Sequence, residues 1–228
     1  SRDEQTLIAP SAISMSLSDG IVFGQNNKVR KAVKSSFDET FPTVAYKKAE
    51  VRDNYNQISL NFKEFSLVFR AYDDGVAYRF VSKLDKKKTY EVISEQAEFN
   101  FGKDRQAFIP YVASGAESIE GQFFNSFENI YTVQNLSQWR KDRLAFLPLA
   151  VAADNGVKVL ITEADLTNYP GMHIIGEEGS ASLKGMFAPY PKVIEQGGHN
   201  KLQGMIKERE NFIAKVSGNE TFPWRVIM

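Results

Sequence analysis

The sequence predicts an all-β domain, a sandwich or barrel with few and short helices. Two observations carry this. Apolar and polar residues alternate with a period of two in several short runs, and turn residues punctuate those runs at close intervals. Helical patterning, by contrast, is thin.

The elements follow in chain order. Ile58, Leu60 and Phe62 alternate with Ser59 and Asn61, the pattern of a half-buried strand. Phe65, Leu67, Phe69 and Ala71 then alternate with Ser66, Val68, Arg70 and Tyr72. Asp73-Asp74-Gly75 has tight-turn composition, with the glycine expected to supply a positive φ. Val76, Tyr78 and Phe80 resume the alternation, which predicts a hairpin. Residues 83–88 (Lys-Leu-Asp-Lys-Lys-Lys) read as a solvated loop between strands. Residues 90–93 and 97–101 read as two short strands separated by a polar turn. Residues 126–139 could hold a helical turn. Residues 144–151 are nearly continuously apolar, which predicts a strand buried on both faces. Asp154-Asn155-Gly156 is a second turn, and residues 157–162 return as its partner strand. Leu202, Met205, Ile206, Phe212, Ile213 and Val216 fit a helical period about as well as a strand, so both assignments stay open. No linker, repeat or low-complexity block interrupts the chain, so residues 1–228 read as one domain.

Composition removes whole classes of function. The 28 Lys and Arg balance the 28 Asp and Glu, and 43% of residues are hydrophobic, which excludes a disordered chain. Nothing in that balance supplies the basic excess of a nucleic-acid binder, so no nucleic-acid partner is expected. Cysteine is absent, which excludes disulfides, thiol catalysis and Cys-ligated metals. No apolar run reaches the roughly 18–20 residues of a membrane helix, so no membrane span is expected. The opening Ser-Arg-Asp-Glu has neither Met nor an apolar leader, and the expectation is a removed export signal or a cut site.

Few residues stand out as chemistry. His173 and His199 are the two histidines. No nucleophile elbow accompanies them, and structural or surface roles fit them better than a metal or a sugar-epimerising acid/base pair. The sequons at Asn135 and Asn219 are short enough to arise by chance. Glu163 is different in context. It ends the apolar run Val159-Leu160-Ile161-Thr162 and precedes the rigid turn Tyr169-Pro170-Gly171-Met172. A carboxylate there is placed to face a cleft or a hard cation such as calcium, although spacing alone fits a solvated or salt-bridged strand-end acid better.

Several segments, taken together, resemble one known family. Ile161-Thr162-Glu163-Ala164-Asp165-Leu166 followed by Tyr169-Pro170-Gly171-Met172 is similar to a signature of glycoside hydrolase family 97, in its amino-terminal β domain. Pro10-Ser11 with Asp19-Gly20, the hairpin from Asp73 to Phe80, Phe127-Glu128-Asn129-Ile130-Tyr131, Leu147-Pro148-Leu149 and Phe222-Pro223-Trp224-Arg225-Val226 agree in the same order.

The resemblance implies a β-super-sandwich of the galactose mutarotase-like kind. It also implies a longer polypeptide, with a catalytic (β/α)8 barrel expected after residue 228 and absent from this sequence. Family members are exported, periplasmic enzymes of Bacteroides-like bacteria acting on α-glucosides or α-galactosides. The implied partners are the barrel of the same polypeptide and an oligosaccharide substrate. The implied cofactor is calcium, held by barrel carboxylates and completed by a glutamate whose matching position is Glu163. No catalytic residue is expected within residues 1–228. Tyr169, Pro170 and Gly171 are expected to shape the loop, and Phe222 and Trp224 to pack between domains. Two competing readings are a stand-alone carbohydrate-binding or assembly module, and a mutarotase-like enzyme, which would need His173 and His199 together beside a carboxylate.

Overall fold

The computed structural model describes residues 6–228. The strands in chain order are β1 (Ile13–Leu17), β2 (Val22–Phe23), β3 (Lys31–Pro42), β4 (Glu50–Asn61), β5 (Phe65–Ala71), β6 (Val76–Ser82), β7 (Thr89–Asn100) and β8 (Gln106–Ile109). A single helical turn, α1 (Ile119–Gln122), leads to β9 (Thr132–Asn135), β10 (Leu149–Ala152), β11 (Lys158–Ala164), β12 (Met172–Gly176) and β13 (Ser182–Phe187). The chain ends through β14 (Pro191–Gly197), β15 (Gln203–Arg209), β16 (Ala214–Ser217) and β17 (Trp224–Ile227). Among the described residues they make a nine-stranded sheet, β3-β4-β5-β6-β17-β11-β10-β8-β9, and a six-stranded sheet, β12-β13-β7-β1-β2 with β16 also on β7. A two-stranded ribbon, β14-β15, forms a separate small sheet. Every strand pair is antiparallel. The fold is the expected all-β sandwich.

One core lies between the two large sheets. Phe65, Leu67, Tyr78, Phe80 and Ile161 from the larger sheet meet Met15, Tyr90, Val92, Phe99 and Leu183 from the smaller. Phe65 stacks on Phe23 at 4.5 Å and on Phe62 at 4.2 Å between ring centroids. Full burial of each such side chain contributes about 1.5–3 kcal/mol, so this layer supplies the driving force that holds the sheets together.

The β5–β6 hairpin forms as the alternation requires, with the Tyr72 amide donating to the Gly75 carbonyl at 2.8 Å. Its glycine is needed for another reason than the one expected. Gly75 has no positive φ, but a Cβ there would lie 2.7 Å from the Ile227 carbonyl oxygen of β17. Close backbone approach, not turn geometry, selects glycine. At Gly156, where φ is +77°, the turn argument does hold. The lysine-rich segment joins β6 to β7 as a solvated loop, with Leu84 tucked against the core.

Other expectations change. The two short runs that begin at Tyr90 and Ala97 fall on one strand, β7 (Thr89–Asn100), and not on two. Ser16 pairs with Ser94 while Leu17 pairs with Val92, so Ile93 is an extra residue, a β-bulge. The bulge reverses the alternation. Tyr90 and Val92 are buried before it, and Ala97 and Phe99 after it. Residues 144–151 are not one strand either. β10 begins at Leu149, after Pro148, which has no N–H for a ladder; Ala145 instead makes isolated bridges to Tyr111 and Ile174. Residues 126–139 contain a 3-10 turn at Leu136–Gln138, and residues 202–216 resolve into β15 and β16. Among the described residues no helix is long and apolar enough to cross a membrane.

Candidate functional site

Strand period places Glu163 inside the sandwich. Val159 and Ile161 of β11 are buried in the core, so the residue two further on points the same way. The register pairs Glu163 with Arg225 of β17. Both therefore aim at the far sheet, and there the β7 bulge has turned Glu95 inward to meet them.

The three side chains form one buried ionic cluster. Arg225 Nε and Nη2 donate to Glu95 Oε1 and Oε2, each at 2.7 Å, a two-pronged pairing. Arg225 Nη1 donates to Glu163 Oε2 at 2.7 Å. Side-chain exposure is 1% for Arg225, 3% for Glu95 and 14% for Glu163, so the last alone keeps access to solvent. The Met172 amide donates to Glu163 Oε1 at 3.0 Å and to Oε2 at 3.1 Å. Tyr169 donates its hydroxyl to Glu95 Oε2 at 2.8 Å. The Arg225 guanidinium carbon lies over the Phe187 ring, 4.9 Å from its centroid. Gly171 lets its chain pass close, since a Cβ there would already be 3.4 Å from Glu163 Oε1.

Two carboxylates and one guanidinium leave the cluster with a net charge of −1. Burial pushes the Glu163 carboxyl up, against the opposing pull of Arg225 and the Met172 amide. Burial also works against the charge of Arg225, but Glu95 and the other surrounding groups more than offset it and the guanidinium stays protonated. Burial and Glu95 together push the Tyr169 phenol far up.

The arrangement welds the two sheets and presents one carboxylate oxygen. Oε2 of Glu163 is engaged by Arg225, while Oε1 accepts from the Met172 amide alone among the described residues. Oε1 therefore suits a hard cation as a single ligand. Calcium takes about six to eight oxygens. Among the described residues no group of three or more His, Cys, Asp or Glu side chains could hold a metal. The residues fit one corner of such a site.

The other expected residues fall elsewhere. His173 is buried on β12, with its ring centroid 5.1 Å from that of Phe123 and 5.6 Å from that of Phe127, and Nε2 is 3.2 Å from Asn125 Nδ2. His199 is exposed at the tip of the β14–β15 ribbon. The two do not form the pair a mutarotase-like site requires. Phe222 packs in this domain's own core, edge-on to Tyr169, and not between domains. Trp224 lies on the outer face of the larger sheet, between the guanidinium groups of Arg70 and Arg79 at 4.7 and 4.2 Å. Tyr169 does more than shape a loop, since it holds Glu95. Glu95 and Arg225 had no predicted role. Period-two alternation beyond Val92 would turn Glu95 outward, and nothing local in the sequence marks the bulge that reverses it.

Fold and site together define the class: a two-sheet β-sandwich domain that presents one carboxylate, oriented by a buried arginine, at the edge of its core. The family model "Glycosyl-hydrolase 97 N-terminal" matches residues 1–228. The chain belongs to glycoside hydrolase family 97, as its amino-terminal domain. It is 48% identical over 222 residues to a retaining alpha-galactosidase of Bacteroides thetaiotaomicron, a match covering 96% of this chain and 33% of the relative. The chain thus spans about a third of the length of that relative. Among solved structures, a family 97 enzyme from Pseudoalteromonas sp. strain K8 in complex with acarbose has a TM-score of 0.75 at 20% identity, covering 98% of this chain and 31% of that one. A beta-arabinopyranosidase has a TM-score of 0.74 at 17% identity, covering 98% and 35%. These two share its fold.

Proposed function

We infer that this chain is the amino-terminal domain of a longer, exported glycoside hydrolase, calcium-dependent and acting on α-galactosides or related α-glucosides. In that protein it supports a catalytic barrel and lends Glu163 to a calcium ion at the substrate pocket. The observation that carries this is the uncompensated charge of the Glu95–Arg225–Glu163 cluster, which rests beside its one partly exposed carboxylate. A partly exposed carboxylate that carries uncompensated negative charge, and whose Oε1 accepts from one amide, is a cation ligand in search of the rest of its shell. The galactosidase named among its relatives supports the substrate class. When bound, calcium supplies positive charge beside the sugar and among clustered carboxylates. Glu163 holds one oxygen toward it, the Met172 amide and Arg225 fix that oxygen's direction, and the packed core keeps the strand end from moving.

The test is Glu163→Gln in the full-length enzyme. Calcium affinity should fall by about tenfold or more, since it depends on the number of charged ligands. Activity on an α-galactoside should fall with it and recover partly in excess calcium. An unchanged calcium affinity would remove the role assigned to Glu163.

A further inference from the structure

We propose that Glu95, which is buried between the sheets, sets how strongly Glu163 attracts its cation, by engaging the charge of Arg225. The proposal rests on the assignment of Glu163 as a cation ligand and names the residue that makes it an effective one.

The geometry carries the step. Arg225 gives two of its three donor nitrogens to Glu95 and one to Glu163. A two-pronged guanidinium–carboxylate pairing is the stronger of the two kinds, so the arginine is primarily Glu95's partner. Were Glu95 absent, Arg225 and Glu163 would form a neutral pair. An arriving cation would then meet a satisfied carboxylate and a repelling guanidinium beside it. With Glu95 present the cluster keeps a charge of −1, and Glu163 is the member that can share it with an ion. Glu95 is 3% exposed, so water screens its effect little.

Two further features hold Glu95 to this task. The bulge at Ile93 turns it inward, and the Tyr169 hydroxyl fixes its Oε2 at 2.8 Å. Its second effect is directional. With Nε and Nη2 anchored on Glu95, Arg225 Nη1 is left to pin Glu163 Oε2, which leaves Oε1 as a one-oxygen ligand. Glu95 is a positioning residue; it does not touch substrate.

The experiment titrates calcium calorimetrically into chelator-stripped full-length enzyme, with folding checked by circular dichroism. Glu95→Gln should bind calcium about tenfold or more weakly, equivalent to about 1.4 kcal/mol. The double variant Glu95→Gln with Arg225→Gln deletes one charge of each sign and restores the net −1. It should bind calcium about threefold or more tighter than Glu95→Gln, since the local charge is again that of Glu163, while loss of the Arg225 contact that orients Glu163 keeps it short of the wild type. A merely structural role predicts the reverse, a double variant weaker than the single. Wild-type affinity in Glu95→Gln, or a double variant no tighter than the single, overturns the proposal. Should Glu95→Gln fail to fold, the double variant is compared with Glu163→Gln: calcium binding about tenfold or more tighter than in Glu163→Gln supports the proposal, and equal binding overturns it. Glu163→Gln is run beside them. If it binds calcium as the wild type does, the ligand assignment itself falls; if it alone is weakened, only the role of Glu95 falls.

Discussion

At the scale of single residues, Arg225 is a buried charge whose loss should destabilise the fold. Its single charge is shared by two carboxylates, and both lie at the sheet interface. Arg225→Gln leaves two negative charges facing each other with little water to screen them. Breaking a buried ion pair from one side costs about 3–5 kcal/mol, and that is the loss expected in urea unfolding. Lysine keeps the charge but cannot grip Glu95 with two nitrogens and reach Glu163 as well, so Arg225→Lys should fall between the two. His173 makes a different prediction. Burial holds its imidazole below the usual histidine range, among Phe123, Phe127 and the Asn125 amide. Below pH of about 6.5 the unfolded chain takes up a proton that folded His173 refuses. The unfolded state then binds more protons, so this contribution to stability is present above that pH and lost as pH falls toward the folded value. Urea midpoints measured from pH 7.5 to 5.5 should decline in the wild type and decline less in His173→Asn. An equal slope in both would place the acid sensitivity elsewhere.

At the scale of elements, what the sequence reveals depends on whether a strand has one wet face. The β5–β6 hairpin was legible because Phe65, Leu67 and Phe80 are buried while the turn between the strands carries Asp73, Asp74 and Gly75. The β14–β15 ribbon was not, because both strands are largely exposed and their apolar residues report no common inner face. β7 failed for a third reason. A bulge shifts which residues face inward without changing composition, so Ser94-Glu95-Gln96 reads as a turn in the sequence and Glu95 carries no mark of its inward place. Glu163 could be singled out because a strand-end acid before Pro170-Gly171 is unusual in local context. Arg225 was present in a recognisable segment, but its partners lie 62 and 130 residues away in sequence. Pairings at such range are set by sheet register, which no local pattern encodes.

At the scale of the whole molecule, the core and the site differ in completeness. The core closes with this chain's own residues: both sheets contribute aromatic and aliphatic side chains, and even the charged cluster between them is internally hydrogen-bonded. The proposed cation shell does not close among the described residues, because a single carboxylate oxygen stands where calcium takes about six to eight. Folding and calcium should therefore be separable in the 228-residue chain by itself. A ligand that binds the folded state stabilises it by RT ln(1 + [L]/Kd), so calcium at about 1 mM with a Kd of about 1 mM or weaker adds no more than about 0.4 kcal/mol. For a chain of this size that moves Tm by at most about 2 °C. Scanning calorimetry of the 228-residue chain in 1 mM calcium and in chelator should give curves within that margin. A rise of about 10 °C would require several kcal/mol of binding energy, far more than one oxygen ligand supplies. Such a rise would mean that the chain carries a complete calcium site of its own, and Glu163 would cease to be one contributor among ligands from another part of the polypeptide.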